Sequence, residues 1–232
     1  MARFEPTPRL AWAAKYCRQG AVFADIGTDH AYLPVFLLQS GRITHAHACD
    51  VAKGPLERAA RTVAEFGLSA AVTLHLTDGL SGLEPLGLTD VAICGMGGET
   101  VVEILRRAPF VKKAGIRLIL QPMTKAGLLR RYLAEEGFFP VEEAFVSEEG
   151  KQYAVLAMEY DGAPRTLSPL EEELGSFALA HPSEETEKAA KRLRAVTERR
   201  LRGMMAAEAP DGGAVEAAQA LLTAIEEWRK TL

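Results

Sequence analysis

The sequence predicts an α/β domain built on a parallel sheet, followed by a region made only of helices. Up to about residue 160, short β-branched runs alternate with helical patterns five times over. Parallel neighbours need a crossover, so this alternation indicates a sheet wrapped by helices. After about residue 165 the chain is rich in Glu, Ala, Leu and Arg, with almost no strand formers. The turn-rich segment 161–169 separates predicted domains at 1–162 and 163–232.

The first domain is expected to contain five strands separated by helices, then two strands with no helix between them. This last pair, 138–146 and 153–160, is predicted to form an antiparallel hairpin on the sheet. Pro55 suits the first turn of its helix. The predicted strands are 21–25, 43–51, 72–76, 90–94 and 116–121, and the predicted helices are 9–18, 32–39, 55–66, 99–107 and 125–136.

The second domain is expected to hold helices at 169–180, 183–207 and 213–230. Ser183 predicts a helix cap through Thr186, and Asp211-Gly212-Gly213 predicts a turn between the two long helices. Apolar residues in these helices recur at a spacing consistent with a short antiparallel coiled coil. They are Leu193, Val196, Leu201 and Met204 against Val215, Ala218, Leu221, Leu222 and Ile225.

Composition excludes several classes of protein. The 232 residues are 48% hydrophobic and 25% charged, which excludes disordered and collagen-like chains. No apolar run reaches eighteen residues, and the first ten residues carry charges and prolines, so we expect a cytoplasmic protein without a membrane segment. Cys17, Cys49 and Cys94 form no C-x-x-C pair and the histidines form no ligand pattern, so we expect neither disulfide nor metal.

Polar or glycine-containing segments follow the predicted strands at their carboxyl ends, where ligands bind in doubly wound folds. The segment 25–32 has one glycine where the dinucleotide fingerprint needs three, which disfavours nicotinamide and flavin cofactors. Asp50 ends the second strand, where an acidic side chain accepts hydrogen bonds from ribose. A ribose-binding acid without a phosphate-binding loop favours a nucleoside cofactor that has no pyrophosphate, and S-adenosylmethionine fits best. Its amino acid part would lie near Gly27 and its adenine near Asp78-Gly79. The same aspartates are also typical strand-end turn formers.

Three further groups of residues each have two interpretations, one functional and one structural. Gly95-Met96-Gly97-Gly98 either lets a methyl acceptor approach the backbone or forms a tight turn before a helix. His30, beside Asp29, is either a catalytic side chain or a satisfied hydrogen-bonding one. Gln121 either hydrogen-bonds a base or ends its strand.

An ordered series of motifs runs from residue 9 to about residue 155. It consists of Arg9-Leu10, DIGTDHAYLP at 25–34, CDV at 49–51, GP at 54–55, TDGL at 77–80, GMGG at 95–98, LQPM at 120–123 and GKQY at 150–153. This series closely resembles the TrmK family, bacterial tRNA methyltransferases that modify N1 of adenine 22. The resemblance implies a class I, Rossmann-like methyltransferase domain that depends on S-adenosylmethionine, followed by a helical coiled-coil domain.

The resemblance also assigns residues to roles. It implies that Asp29, His30 and Tyr32 lie at the target adenine, where the Asp29 carboxylate would face the exocyclic amine. The cofactor is assigned to Asp25, Gly27, Asp50, Asp78, Gly79 and Gly95. The acceptor pocket is assigned to Met96, Gly97, Gly98 and Gln121.

The helix at 183–207 carries a concentration of positive charge. From residue 188 to residue 202 it has seven cations against the single acid Glu198, in a chain of net charge −4. Such asymmetry indicates contact with a polyanion, here tRNA, although a solvated helix face has the same pattern. The proposed contacts are Lys188, Lys191, Arg192, Arg199, Arg200 and Arg202.

Two other classes of function stay open at this point. A small-molecule methyltransferase would use the basic helix only as surface. A non-catalytic nucleotide-binding module would use its coiled coil to bind a protein. For the tRNA methyltransferase we expect a monomer.

Overall fold

A computed structural model describes residues 3–207 and 211–232, and within them one sheet has the strand order β3-β2-β1-β4-β5-β7-β6. The first five strands are parallel, and β7 is antiparallel to both β5 and β6, so the predicted parallel sheet and terminal hairpin are confirmed. The strands are β1 (Phe23–Ile26), β2 (Ala46–Asp50), β3 (Val72–Leu76), β4 (Asp90–Gly97), β5 (Arg117–Thr124), β6 (Phe138–Glu148) and β7 (Lys151–Tyr160).

Helices cover both faces of this sheet, which explains why all four residues of β1 are buried. The helices of the first part are α1 (Pro8–Tyr16), α2 (Tyr32–Gln39), α3 (Lys53–Glu65), α4 (Gly98–Arg106) and α5 (Ala126–Glu135). The helices that follow are α6 (Pro169–Leu174), α7 (Ser176–Ala180), α8 (Glu184–Met205) and α9 (Gly212–Arg229).

The strand order reverses direction between β1 and β4, which are neighbours although β2 and β3 lie between them in sequence. This reversal is a topological switch point, where a crevice opens outside the carboxyl ends of the strands. The segments that follow β1, β2, β3 and β4 therefore meet at one edge of the sheet.

One helix predicted at 169–180 is two helices. Gly175 separates α6 from α7 with a φ of 83°, and a Cβ built on it would lie 1.9 Å from Oε2 of Glu143. The helix breaks because a carboxylate of β6 occupies the space that a side chain would need. Ser168 starts α6 with a capping box to Glu171.

The C-terminal helices pack onto the sheet domain. Leu170, Leu174, Ala190 and Ile225 belong to the same buried apolar cluster as Leu118 and its neighbours in the sheet. The strands end at Tyr160 and α6 begins at Pro169, so the connection lies within 161–168.

Helices α8 and α9 are antiparallel neighbours. Arg194 of α8 lies 3.4 Å from Glu226, near the end of α9, and the Trp228 indole donates to the Leu179 carbonyl oxygen at 3.1 Å. Ser183 caps α8 through the Thr186 N–H as predicted. The placement of Val196 in the packed stripe was wrong, because Val196 is 52% exposed and the buried position is Thr197.

The predicted turn at 211–213 was also wrong in part. Asp211 is the N-cap of α9 and accepts a hydrogen bond from the Ala214 N–H at 3.2 Å. Because this bond satisfies a free N–H of the first turn, the helix begins at Gly212 itself.

Two kinds of feature are absent from the residues that the structure describes. None of their helices is long and apolar enough to cross a membrane. Across 3–207 and 211–232, no group of three or more His, Cys, Asp or Glu side chains is arranged to hold a metal ion.

Candidate active site

A cavity of about 120 Å³ lies at the switch point, between the ends of β1, β2, β3 and β4. It brings together Gly27, Asp50, Asp78, Gly79 and Met96, which the sequence analysis had assigned to the cofactor and the acceptor. The remaining lining residues, missed by that analysis, are Ile26, Val51, Thr77, Thr100 and Ile104. Val51 and Thr77 adjoin the predicted aspartates in the CDV and TDGL motifs, so these motifs could have been used to predict that both residues line the cavity.

Asp25 lies at the end of β1 and is 7% exposed. The Thr28 hydroxyl donates to its carboxylate at 2.6 Å. Burial raises the pKa of Asp25 to about 6, with the Thr28 hydrogen bond acting to lower the pKa and the nearby charge of Asp50 acting to raise it. The negative charge of this buried carboxylate is therefore poorly compensated, and a cationic ligand would compensate it.

Gly27 presents bare backbone to the cavity. Its φ is 76°, in the left-handed region, and a Cβ at this position would lie 2.1 Å from Cε of Met96. The Met96 side chain therefore packs directly over the glycine. Methionine is flexible, so a ligand that displaces this side chain gains room beside Gly27.

The two other aspartates of the crevice already have partners. Oδ1 of Asp50 accepts the Ala52 N–H at 2.8 Å, which orients the carboxylate after β2. Asp78 pairs with Arg107, whose Nη1 lies 2.5 Å from Oδ2 and whose Nη2 lies 3.2 Å from Oδ1. A ligand amine at Asp78 would share this carboxylate with Arg107.

The loop after β1 carries a stack of three rings. The rings of His30 and Tyr32 are nearly parallel with centroids 4.9 Å apart, and Phe4 stacks on Tyr32 at 4.8 Å. Asp29 begins this loop, and its Oδ1 accepts hydrogen bonds from Arg58 of α3. Its Oδ2 lies 3.6 Å from Nε2 of His30. Tyr32 is 39% exposed, so an accessible aromatic surface lies close to a carboxylate.

Gly95 to Gly98 do not form the simple turn that a strand ending at Cys94 predicted. Strand β4 continues to Gly97, with register shifts between Cys94 and Gly97 where it pairs with β5. Gly98 then starts α4, and a Cβ there would lie 2.5 Å from the Lys125 carbonyl oxygen. The glycine at position 98 is thus required by close contact between two backbone segments.

Gln121 belongs to a group that the sequence analysis had largely missed. It is 2% exposed, and its Oε1 accepts hydrogen bonds from the Gly95 N–H at 3.2 Å and from Nη1 of Arg9 at 3.3 Å. Arg9 donates from Nε to Glu148 at 2.7 Å, and its guanidinium lies 4.7 Å from the centroid of the Tyr153 ring.

We call Arg9, Gln121, Glu148 and Tyr153 the Arg9 cluster. Its contact with Gly95 places it beside the glycines assigned to the acceptor. Arg9, Gln121 and Tyr153 belong to the RL, LQPM and GKQY motifs, which were the only sequence signal for the group.

The cations of α8 fall into two sets. In the first set, Lys188 pairs with Glu184 and Glu185, and Lys191 lies 3.9 Å from Glu187. Arg194 also belongs to this set, because it pairs with Glu198 and Glu226. The second set is exposed and makes no ion pair with any residue in the described part of the chain. We call this set the basic face, and it consists of Arg192, Arg199, Arg200 and Arg202.

The strand order and the acidic, glycine-lined crevice at the switch point define a class I methyltransferase. Residues 7–156 match the family model described as a methyltransferase domain. The tRNA (adenine(22)-N(1))-methyltransferase of Bacillus subtilis is 34% identical over 169 residues, which cover 70% of this chain and 71% of that relative.

Solved structures agree over nearly the whole chain. The crystal structure of the B. subtilis m1A22 tRNA methyltransferase TrmK has a TM-score of 0.83 at 26% identity, covering 98% of this chain and 99% of that one. The structure of Mycoplasma capricolum TrmK in complex with S-adenosylhomocysteine has a TM-score of 0.79 at 27% identity, with 95% and 96% covered. The chain belongs to the TrmK family of tRNA (adenine(22)-N(1))-methyltransferases.

Proposed function

We propose that this enzyme transfers the methyl group of S-adenosylmethionine to N1 of adenine 22 in tRNA. The observation that carries the proposal is the acidic crevice at the switch point, where Gly27, Asp50 and Asp78 meet. The buried carboxylate of Asp25 directly precedes Ile26, which lines this crevice. S-adenosylmethionine carries both an ammonium and a sulfonium group, so it fits this environment.

The residues of the crevice suit each part of that cofactor. Asp25 would face its positive charge, Gly27 would let it approach the backbone, and Asp50 would accept hydrogen bonds from its ribose hydroxyls. Asp78 and Gly79 would border its adenine. When bound, the cofactor supplies an electrophilic methyl group.

The protein's task in the transfer is positioning and charge stabilisation. N1 of adenine would form the bond to the methyl carbon with its own lone pair while the carbon–sulfur bond breaks and S-adenosylhomocysteine leaves. No base is therefore needed to create the nucleophile. The methylated ring becomes positively charged, and we assign Asp29 to stabilise that charge at the exocyclic amine. The stack of His30 and Tyr32 would hold the base, which must leave its pair to expose N1.

The Asp29→Ala variant tests this role. We expect kcat to fall about a hundredfold, because the developing positive charge loses its carboxylate, while the Kd for S-adenosylmethionine stays unchanged. Single-turnover kinetics and calorimetric titration measure the two quantities. The matched control is Glu57→Ala, which removes an exposed carboxylate from α3 next to Arg58. Full activity of Asp29→Ala would exclude the assignment.

The basic face is the surface that we assign to tRNA phosphates. Charge reversal in Arg199→Glu/Arg200→Glu should weaken tRNA binding at least about tenfold and reduce the slope of log Kd against log salt by about two. The matched control is the single variant Lys113→Glu, compared with Arg199→Glu. It makes an equal charge change in the loop before β5, at the amino end of that strand. Equal effects of the two single variants on affinity would argue against a specific surface.

The helical region completes the proposal. We assign residues 163–232 to a tRNA-contacting domain in which α8 and α9 form a short antiparallel coiled coil. The burial of Ala218 and Ile225, seven residues apart on α9, supports this pairing. We further propose that the enzyme acts as a monomer and modifies tRNA in the cytoplasm.

Incubation with labelled S-adenosylmethionine and unmodified tRNA tests the proposed function. Digestion and mass spectrometry should find N1-methyladenosine at position 22, and a tRNA transcript with guanine at that position should not be methylated. Transfer to free adenosine but not to tRNA would favour a small-molecule methyltransferase instead.

A further inference from the structure

The tip of the β6–β7 hairpin has two faces with different neighbours. Val146 pairs with Tyr153, Ser147 with Gln152, and Glu148 with Lys151. Opposed residues of antiparallel strands point to the same face, and successive residues alternate. Glu148 and Tyr153 therefore share one face, and Ser147 and Gln152 share the other.

The first face of the tip belongs to the Arg9 cluster. Glu148 accepts the backbone N–H of Arg9 at 3.0 Å as well as its Nε at 2.7 Å, and Tyr153 lies beneath the guanidinium. Through Gln121 this cluster contacts Gly95, at the end of the sheet where the methyl acceptor is assigned.

The second face holds the beginning of α8. The Ser147 hydroxyl donates to Oε2 of Glu185 at 2.5 Å. The Gln152 amide donates to the Glu185 carbonyl oxygen at 2.8 Å and to Oε2 at 3.3 Å. Lys188, one turn further along α8, donates to Oε1 at 2.9 Å. Every oxygen of Glu185 is thus engaged, and two of its partners belong to the hairpin tip.

The position of this contact on α8 matters because the basic face lies farther along the same helix. At a rise of about 1.5 Å per residue, Arg192 lies about 10 Å and Arg202 about 26 Å beyond Glu185. A tilt of about 10° at the start of α8 would move Arg202 by about 4 Å, comparable with the reach of a hydrogen bond. The contact at the hairpin tip therefore helps to set where the distant arginines lie, together with the packing of α8 on α9 and on the core.

We propose that Glu185 is a positioning residue for the tRNA substrate: held by Ser147 and Gln152, it fixes the basic face of α8 relative to the Arg9 cluster. A tRNA bound along the arginines then presents its nucleotide to the acceptor side of the crevice. This inference rests on the proposed function, because it requires that tRNA contacts the basic face.

A swap of the hydrogen-bonding groups tests the proposal. Gln152→Glu sets a second carboxylate against Glu185 and should raise the KM for tRNA about tenfold, with kcat changed less than about twofold. The Kd for S-adenosylmethionine should not change. Adding Glu185→Gln to this variant lets an amide at position 185 donate to the carboxylate at position 152, and should recover part of the lost kcat/KM. The hydrogen bond to the backbone carbonyl oxygen of residue 185 stays lost in both variants. Gln152→Ala, which removes the contact without repulsion, should give a smaller rise in KM.

The control is Glu184→Gln, which changes the neighbouring carboxylate. This carboxylate pairs with Lys188, and it makes no hydrogen bond to the hairpin tip within the described residues. Its KM for tRNA should match the wild type. An unchanged KM in Gln152→Glu, a loss confined to kcat, or no recovery in the double variant would each overturn the inference while the wild type still methylates tRNA. A wild-type enzyme that does not methylate tRNA would instead overturn the proposed function.

Discussion

Arg130→Met is expected to lower the free energy of unfolding by about 3 to 5 kcal/mol. The side chains of Arg130 and Glu143 are only 3% and 1% exposed, and Nε of Arg130 donates to Glu143 at 2.7 Å. Nη1 also donates to the carbonyl oxygens of Glu172 and Glu173 at 2.8 and 2.9 Å, at the end of α6. Removal of the guanidinium would leave a buried carboxylate and two carbonyl oxygens without their donor.

The direction of the Glu143 pKa supports the same expectation. Burial raises the pKa of Glu143, and the adjacent Arg130 acts in the opposite direction. Without Arg130 the pKa of the buried carboxyl would rise further, which favours its uncharged form. Part of the stability of Arg130→Met should therefore return as the pH falls.

Urea unfolding at pH 7 measures the loss. The matched control is Arg131→Met, the next residue, whose side chain is 56% exposed and pairs with Glu172 at the surface. This control should stay within about 1 kcal/mol of the wild type. The double variant Arg130→Met/Glu143→Leu removes both charges and should recover much of the loss. Equal losses in Arg130→Met and Arg131→Met would contradict the assignment of Arg130 to a buried tie between α5, β6 and α6.

Asp25→Asn should have opposite effects on cofactor binding and on the stability of the cofactor-free protein. The Kd for S-adenosylmethionine should rise about a hundredfold, because a cationic ligand loses its buried counter-charge. The cofactor-free variant should be more stable than the wild type at pH 8, by at most about 3 kcal/mol, because it no longer buries a charged carboxylate.

The sign of the pH dependence follows from the direction of the pKa shift. Folding raises the pKa of Asp25 from 3.8 to about 6, so the native state binds the proton more tightly than the unfolded chain does. The stability that this proton contributes is fully present below about pH 4 and is lost as the pH rises through 6. The gap between Asp25→Asn and the wild type should therefore widen from pH 5 to pH 8.

Thermal unfolding at several pH values and calorimetric titration with S-adenosylmethionine measure both effects. Asp50→Asn serves as the comparison, because its carboxylate already accepts the Ala52 N–H and lies at the edge of the crevice. That variant should bind the cofactor less tightly and gain less stability at pH 8 than Asp25→Asn, because it removes the repulsion between the two carboxylates but leaves the Asp25 carboxylate buried. A higher Kd for S-adenosylmethionine in Asp25→Asn, without any gain in stability, would show that the charged Asp25 carboxylate does not destabilise the cofactor-free protein.

The sheet was predictable because its strands are short and apolar and end at polar residues. Strand 72–76 and helix 32–39 have the bounds that the pattern predicted. Strand β4 was predicted too short because its last residues are glycines, and they extend only because β5 pairs with them through Pro122 and Thr124. The break at Gly175 depends likewise on Glu143, a residue of another element.

The candidate site was also predictable only in part. Aspartates at strand ends can be found from strand positions alone, since the carboxyl ends of parallel strands meet at one edge. Their partners cannot, because Arg58 and Arg107 each lie 29 residues from the aspartate they contact. The roles assigned to Asp29, His30 and Tyr32 stay predictions, as do the tRNA contacts of the basic face.

The contact between Arg9 and Glu148 also has a consequence for the nascent chain. These residues are 139 positions apart, whereas the residues lining the crevice all lie between 26 and 104. At about 5 to 20 residues per second, a ribosome needs about 8 to 30 seconds to reach residue 150. The residues of the cofactor crevice are therefore made well before the hairpin that closes the Arg9 cluster. During synthesis the growing chain acquires the parts that we assign to the cofactor first, and it completes the place that we assign to a substrate nucleotide only after the last strand has joined the sheet.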